Sequence, residues 1–587
     1  MKLFINALTA SFKLNYKVSK ALVILRMIIM IVIAFIPTII SYLIKIVTNM
    51  LAYPDIINTN IFGLSALGIF SIIIVLNVLI EIVNRLLGYF STIHNDKINK
   101  EIDLILQEKF ASFSFEQFED PNFNDKITNI RNESRVLISY FWSFFIFIQV
   151  FIQFCTAFYA FKSFGYVYSI IILVPIIPVY ICENKMKKQL HNWELSQVRT
   201  SRRMNYSYNC ITNQSFFYVW KINDCAGFLI DKYKTEWSNY FNNKKKIYLK
   251  NTFILTFINL LPIIVYLLGA VLIITRIIKG ELRVGEFTFY LSIANQLITS
   301  VVKFISNAST LSVLDVQYKN YTDFMNEESA VIFNDNKKIN NIQTIEFKNV
   351  SFKYPRTDKY ILKDINFKIN SGEKIAIVGA NGIGKTTIIK LLLRLYDCNS
   401  GEILINGKDI KSLDILKFYK DVSVIFQEHP LFAFSIANNI TFGEEINTEK
   451  INNLFGETNI FNYILDLEEN LNTKINTVYH SDGKNFSKGE MQKINLLKFL
   501  YQEASLKILD EANSNLDINA EQFLYKKIFD DDSIVLIITH RFFDMMKMDK
   551  IIFMSEDTIH VSNHEKLLNE SEVYRNMYEN YANRYKN

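Results

Sequence analysis

The sequence contains little cysteine, proline or glycine, with 5, 8 and 18 of these residues among 587. The spacings of the cysteines match neither a metal-binding motif nor a disulfide framework, so we expect unpaired thiols. The formal net charge is only +6, and no basic stripe with interleaved aromatic residues occurs. The sequence therefore does not indicate nucleic-acid binding.

A cleavable signal peptide is also missing, because the first apolar run is too long and no small-residue cleavage site follows it. Apolar residues are abundant instead: 50% of the chain is hydrophobic. The first half holds long apolar runs, whereas the second half has a mixed α/β pattern. This asymmetry predicts a membrane part followed by a soluble part. The excess of isoleucine, lysine and asparagine over alanine, glycine and proline is typical of bacteria with AT-rich codons.

Six segments have the roughly 20 apolar residues that are needed to cross a bilayer. They are residues 22–44, 62–83, 137–161, 166–182, 253–278 and 287–311. The last segment carries Asn295, Gln296, Lys303 and Asn307, and could be an interfacial helix or a spanning helix beside a water-filled pathway. We predict a spanning helix, because an even number of spans keeps both termini on one side.

The distribution of basic residues predicts the orientation. Lys13, Lys17 and Lys20 precede the first span, many basic residues lie in 183–251, and the loop 51–60 has none. The positive-inside rule therefore places both termini in the cytosol. The long polar segments 84–135 and 183–251 are too long for simple connections, and are interpreted as cytosolic extensions of the spanning helices.

Composition also predicts the domain boundaries. Residues 1–320 form the membrane domain, and the polar segment 321–342 is a linker. From residue 343 onward, alternating apolar residues predict strands of a second domain that extends to residue 587.

Residues 379–386 match the pattern G-x-x-x-x-G-K-[ST] between an apolar strand and a helical run. That context indicates a P-loop, in which backbone N–H groups and a helix N-terminus surround phosphate groups. The lysine is expected to reach the β- and γ-phosphates, and the Thr386 hydroxyl to bind Mg²⁺. Further along, a second apolar strand ends in Asp510 and Glu511. Asp510 is expected to hold Mg²⁺, and Glu511 to act on the attacking water.

Five further motifs follow the order found in ABC transporters. They are Tyr354, which resembles an adenine-stacking aromatic residue; Gln427, which resembles the Q-loop glutamine; 486–490, which resembles the L-S-G-G-Q signature; 514–517, which resembles the D-loop; and His540, which resembles the switch histidine. The whole chain resembles exporters of this family with fused membrane and ATPase domains. The resemblance implies an all-α six-helix transmembrane domain followed by an α/β P-loop ATPase domain.

The resemblance also implies the cofactors, ATP and Mg²⁺, and the role of each site residue. The catalytic residues would be Glu511, His540 and Lys385, and the metal ligands Thr386, Gln427 and Asp510. The nucleotide-binding residues would be Tyr354, Gly379, Asn381, Gly382, Gly384, Lys385, Thr386, Thr387, Gln427, Ser487 and Gly489. ATP would lie between the P-loop of one copy and the signature of a second half-transporter, in a homodimer or a heterodimer.

Four residues depart from the family pattern. Phe486, Lys488 and Glu490 replace leucine, glycine and glutamine in the signature, and Lys507 interrupts the strand before Asp510. The full set of catalytic residues is nevertheless present, so we expect an active ATPase and a homodimer.

The cargo is predicted from resemblance alone. Residues 118–123, the short outer loops and the length are similar to exporters of lantibiotics and other bacteriocin-type peptides. Because only a short stretch precedes residue 22, we expect no leader-trimming peptidase domain in this chain. Two alternatives remain open: a lipid or multidrug exporter, and a nucleotide-gated channel or regulatory membrane ATPase. We expect the protein in a bacterial cytoplasmic membrane.

Overall fold

The computed structural model describes most of the chain. The described residues are 2–53, 65–163, 170, 174, 176–329, 341–427, 430–511, 516–539, 545–555 and 558–585. The chain divides into two compact units. The helical unit comprises Met1–Ser112 and Glu119–Glu327, and the ATPase unit comprises Phe113–Phe118 and Glu328–Asn587.

Helices make up the first part of the chain. They are α1 Lys2–Val18, α2 Lys20–Ala52, α3 Ala66–Ala111, α4 Phe115–Glu119, α5 Pro121–Glu133, α6 Val136–Ala160, α7 Ile176–Ser196, α8 Val198–Thr212, α9 Gln214–Ile222, α10 Ala226–Ile278 and α11 Val284–Met325. At about 1.5 Å per residue, the 46 residues of α3 and the 53 of α10 far exceed a hydrocarbon core of about 30 Å. α3 and α10 therefore continue from the predicted spans into the long polar segments 84–135 and 183–251.

Within the described residues, five helical segments are long and apolar enough to cross a membrane. They are Lys20–Ala52, Ala66–Ala111, Pro121–Ala160, Ala226–Ile278 and Val284–Met325. These correspond to the first, second, third, fifth and sixth predicted spans. The fourth, 166–182, lies largely outside the described residues, although α7 begins within it.

The sixth predicted span is one continuous helix, α11. Some of its polar residues bond to neighbouring helices, and others are exposed. Gln296 Nε2 donates to Thr38 Oγ1 at 2.8 Å, and Asn307 Nδ2 donates to the Ser143 carbonyl at 3.2 Å. Asn295 and Lys303 are instead exposed. One set of polar residues therefore joins this helix to its neighbours, and a second set lies on its exposed face.

The ATPase unit contains two sheets. The strands are β1 Thr344–Phe352, β2 Leu362–Asn370, β3 Lys374–Gly379, β4 Ser400–Ile405, β5 Lys408–Asp409, β6 Val422–Ile425, β7 Leu506–Asp510, β8 Ile534–Ile538, β9 Lys550–Met554 and β10 Ile559–Ser562. A four-stranded antiparallel sheet has the order β2-β1-β4-β5. A six-stranded sheet has the order β10-β9-β3-β8-β7-β6, in which only β10 is antiparallel to its neighbour.

Nine helices of the ATPase unit lie in its described part after residue 341. They are α12 Lys385–Leu392, α13 Ile415–Lys420, α14 Ile436–Thr441, α15 Thr448–Glu457, α16 Asn462–Leu465, α17 Lys488–Tyr501, α18 Ile518–Phe529, α19 His564–Glu570 and α20 Glu572–Tyr585. The larger sheet is covered on both faces: Ile375 and Ile377 of β3 enter one apolar cluster, and Ala376 and Val378 enter the other. Apolar side chains on both faces are what a buried parallel strand requires.

Lys507 interrupts the apolar strand β7 because its charge is paired inside the fold. The residue is buried, and its ammonium group forms an ion pair with Asp531. Burial raises the pKa of Asp531, but hydrogen bonds from Lys507 and from the Ser533 amide outweigh this effect and leave the pKa below its ordinary value. The departure at this position is therefore a structural feature of β7, which lies between β6 and β8 in the sheet.

We predict that Asp531→Asn lowers the thermal unfolding midpoint of the purified chain. The substitution leaves the Lys507 ammonium without its ion-pair partner, at a cost of about 2 kcal/mol, less than for a fully buried pair, because Asp531 is 25% exposed. Lys507→Met is the matched control, and should cost less because an apolar chain of similar size fills the strand position. Equal midpoints for Asp531→Asn and the unmodified chain would contradict the prediction.

Candidate functional site

The turn between β3 and α12 forms the base of the site. Gly384 caps α12 with φ +109°, a left-handed conformation that favours glycine. A Cβ atom at Gly384 would lie 2.7 Å from Ile361 Cγ2, and one at Gly379 would lie 2.5 Å from the Met554 carbonyl oxygen. Both positions therefore require glycine, so that the backbone can turn directly from the sheet into the helix.

Lys385 is the first residue of α12 and is buried. Its ammonium group donates to the carbonyl oxygens of Gly379 and Ala380 at 2.9 and 3.1 Å. Burial lowers the pKa of Lys385, whereas the nearby carboxylates of Glu511 and Asp510 act in the opposite direction. The turn therefore holds a cation beside backbone N–H groups, an arrangement that suits phosphate.

Carboxylates reach the same place from the neighbouring strands. Asp510 is the last residue of β7, and its carboxylate accepts a hydrogen bond from the Thr386 hydroxyl. Burial raises the pKa of Asp510, and the bond to Thr386 opposes that shift. The hydroxyl and carboxylate oxygens of these two residues are the donor types that Mg²⁺ prefers, so the residues present fit a magnesium ion.

Glu511 and Gln427 meet at the carboxyl edge of the sheet. β6 and β7 are parallel neighbours, with Ile425 opposite Leu509, so the residues that follow them come together. Gln427 Nε2 donates to Glu511 Oε2 at 2.9 Å. Glu511 has φ +49° and its N–H donates to the Ile538 carbonyl at 3.2 Å. An amide and a carboxylate therefore lie together next to the phosphate turn.

Tyr354 approaches the site from the smaller sheet. Its hydroxyl lies 3.0 Å from Thr387 Oγ1, and its ring meets the Tyr396 ring edge-on at a centroid distance of 5.4 Å. The Lys390 ammonium lies 5.7 Å from both ring centroids. The sequence argument found Tyr354 but missed Tyr396 and Lys390. The signal for Lys390 is its position four residues after Thr386, on the same face of α12.

Most of the predicted nucleotide-binding residues line one cavity of about 390 Å³. It is lined by Tyr354, Ile361, Asn381, Gly382, Gly384, Lys385, Thr386, Thr387, Gln427 and Glu511. The predicted residue His540 lies outside the described residues, as do Ser514 and Asn515 of the D-loop motif. The volume and the cation, hydroxyl and carboxylate groups of the lining suit a nucleoside triphosphate with its metal ion.

Ser487 and Gly489 do not line this cavity; they lie at the start of α17. Ser487 is the N-cap, and its hydroxyl accepts the Glu490 N–H at 3.2 Å, while Glu490 Oε2 accepts the Ser487 N–H at 2.8 Å. These reciprocal bonds form a capping box. The bond from the Ser487 amide is the main reason that the pKa of Glu490 is lowered.

The capping box explains why Glu490 can replace glutamine in the signature: either residue can close the box. The next turn of α17 carries Lys493, whose ammonium lies 2.6 Å from Asp517, the N-cap of α18. Phe486 is buried in an apolar cluster, so its ring has a packing role. The signature segment is therefore an ordered helix start that is joined to the D-loop segment.

Comparisons with known proteins agree with this geometry. Residues 362–514 match the family model described as ABC transporter. The subtilin transport ATP-binding protein SpaT of Bacillus subtilis is 28% identical over 536 residues, which cover 85% of this chain and 84% of that protein. A putative export ATP-binding/permease protein of Rickettsia bellii is 28% identical over 533 residues, covering 86% and 88%.

A partial match and a solved structure extend this result. The putative multidrug export ATP-binding/permease protein YgaD of Bacillus subtilis is 28% identical over 308 residues, which cover 51% of this chain and 52% of that protein. The structure of a bacterial Atm1-family ABC exporter with ATP bound has a TM-score of 0.75 at 18% identity, and covers 95% of this chain and 99% of that one. This likeness shows the fold.

The chain therefore carries an ABC transporter domain, and it is an ATP-hydrolysing exporter whose helical membrane region is fused to that domain. It is a multi-pass membrane protein. The fold class predicted from the sequence is confirmed.

We predict that Glu490→Ala loosens the start of α17. Loss of the reciprocal bond at an N-cap costs about 1 kcal/mol, so amide hydrogen exchange in residues 487–491 should become about fivefold faster. Glu490→Gln is the matched control and should retain protection, because glutamine can also close the capping box. Unchanged exchange in Glu490→Ala would contradict the prediction.

Proposed function

We propose that this protein exports a peptide of the lantibiotic or bacteriocin type across a bacterial cytoplasmic membrane, driven by ATP hydrolysis in a homodimer. The observation that carries the peptide assignment is the similarity to a subtilin transport protein over 85% of the chain. The predicted domain limits, 1–320, 321–342 and 343–587, and the cytosolic location of the ATPase domain are part of this proposal.

ATP would bind in the cavity beside the P-loop. The backbone of residues 379–386 would surround the phosphates, and Tyr354 would stack on the adenine. Lys385, whose ammonium group donates to the Gly379 and Ala380 carbonyls at 2.9 and 3.1 Å, would bind the β- and γ-phosphates. Asn381, Gly382, Gly384, Thr386 and Thr387 complete the lining.

Thr386, Asp510 and Gln427 would hold Mg²⁺ through their oxygen atoms. When bound, the ion neutralises charge that develops on the phosphate oxygens. Glu511 would orient the attacking water and accept its proton as the bond between the γ-phosphorus and the bridging oxygen of ADP breaks. The contact between Gln427 and Glu511 links the proposed metal ligand to the proposed base. His540 would contact the γ-phosphate.

A second copy would complete the site. Ser487 and Gly489 do not line the cavity beside the P-loop of their own chain; they would instead contact the γ-phosphate held by the partner. The ordered start of α17 and its ion pair with Asp517 support this use of the signature. The segment 216–227, in which Phe217, Tyr218 and Ile222 are exposed, and the segment 115–123 would couple ATP hydrolysis to movement of the membrane helices.

A lipid or multidrug exporter is the second candidate. The observation in its favour is the similarity to a protein described as a putative multidrug exporter, although that match covers only half of each chain. A nucleotide-gated channel or regulatory membrane ATPase is a weaker third candidate, because a gate has no need of Glu511 next to Gln427.

We predict that Glu511→Gln lowers ATP hydrolysis by about 100-fold or more in proteoliposomes, because a general base contributes at least that factor. ATP binding should persist, as measured with a fluorescent ATP analogue. Glu503→Gln is the matched control: it removes an exposed carboxylate that pairs with Lys450, and should leave hydrolysis unchanged. Hydrolysis that survives in Glu511→Gln would refute the assigned role.

The cargo is tested by stimulation of hydrolysis. Leader-bearing amphipathic peptides should raise the ATPase rate of the chain in lipid nanodiscs and should accumulate inside inverted vesicles. Dyes and added lipids should do neither. Stimulation by dyes or lipids, with none by peptides, would replace the peptide assignment by the second candidate.

A further inference from the structure

Helix α11 has a polar stripe along its exposed face. Thr288, Ser292, Asn295, Thr299 and Lys303 follow one another at intervals of three or four residues, so they share one side of the helix. The last three are exposed in the described chain. The stripe lies inside the sixth predicted span, where polar residues are costly unless they face water or a polar partner.

Contacts to two other helices, α2 and α7, set the rotation of α11. Near its start, Glu286 pairs with Lys45 of α2 at 3.4 Å. In the middle, Gln296 bonds to Thr38 of α2 at 2.8 Å. Near the end of the span, Lys187 of α7 donates to Ser306 Oγ at 3.1 Å. These bonds, together with buried Ile293 and Leu297 on the opposite side, keep the stripe facing outward.

The stripe differs from a surface that contacts lipid. On α2, the exposed large side chains of the predicted span 22–44 are all apolar or aromatic: Ile24, Leu25, Ile28, Ile31, Val32, Phe35, Ile39 and Tyr42. Lys303 lies within the membrane level, because the adjacent Phe304 packs on Phe147 of the third span at a centroid distance of 4.3 Å. A lysine at this level requires an aqueous or anionic neighbour.

Lys303 has no acidic side chain assigned to it in the described part of the helical unit. On α7, which packs on α11, the acidic residue Glu183 already pairs with Lys187 at 3.0 Å. The stripe therefore combines uncharged hydrogen-bonding groups with one cation that can pair with a visiting anion.

We propose that the polar stripe is the cargo-binding surface and that Lys303 pairs with a carboxylate of the exported peptide. The cargo class is then a peptide with an acidic segment, whose backbone amides meet the hydroxyl and amide groups of Ser292, Asn295 and Thr299. This inference rests on the proposed peptide export and adds the charge of the substrate.

The test compares two synthetic peptides in nanodiscs of uncharged phosphatidylcholine. They have the same length and apolar residues, but one carries Asp and Glu where the other carries Asn and Gln. The acidic peptide should stimulate ATP hydrolysis at about a tenfold lower half-maximal concentration. Lys303→Gln should abolish that difference, Lys303→Arg should retain it, and Lys319→Gln, an exposed lysine beyond the span on the same helix, should have no effect.

Other occupants of the stripe give different results. A difference that persists in Lys303→Gln would overturn the proposal. The proposal would also be overturned if Lys303→Gln changed ATP hydrolysis without peptide and only in nanodiscs with phosphatidylglycerol. That result would identify a lipid headgroup as the occupant of the stripe. Loss of the dimer in Lys303→Glu with peptide discrimination intact would identify a contact between copies. Stimulation by neither peptide in the unmodified chain would instead refute peptide export itself.

Discussion

The close approach of the β3–α12 turn to its neighbours is the constraint on which the ATPase site depends. Gly379 and Gly384 leave no space for a Cβ atom, so the loop lies directly on Ile361 and on the carbonyl of Met554. The turn thereby places Lys385 and Thr386 at the carboxyl edge of the sheet. Since β7 ends at the same edge, Asp510 meets Thr386 there, and Glu511 follows at the point that Gln427 reaches.

Two ion pairs, one in each unit, help to determine the orientation of the elements that carry them. Lys507 enters a buried strand because Asp531 receives its ammonium group. Glu286 and Lys45 form a pair that helps to fix the rotation of α11. An unpaired charge in such surroundings would cost several kcal/mol, so each pair also excludes alternative packings of its element. The exposed Lys303 differs from this pattern, and for that reason it carries the inference about the cargo.

Local patterns made much of the fold predictable, while contacts between distant segments were not. The P-loop was predictable because strand, glycine turn and helix are adjacent in sequence. The ion-pair partner of Lys507 was not predictable, because Asp531 lies between α18 and β8 and no local sequence pattern connects the two residues. The capping box at Ser487 was predictable from the local pattern S-x-x-E. In the sequence analysis, however, Glu490 was interpreted only as a departure from the family signature. The direction of each polar group on α11 likewise depends on neighbouring helices.

The proposed ATPase site requires that two copies of this chain enclose ATP between the P-loop of one and the signature of the other. The most direct measurement is cross-linking of the full chain with the natural cysteines replaced by serine and with Asn381→Cys and Lys488→Cys introduced. A short bifunctional maleimide should join two copies when ATP is present in the Glu511→Gln background, and should not do so without nucleotide. Absence of an ATP-dependent cross-linked dimer, in a chain that binds ATP, would contradict the account.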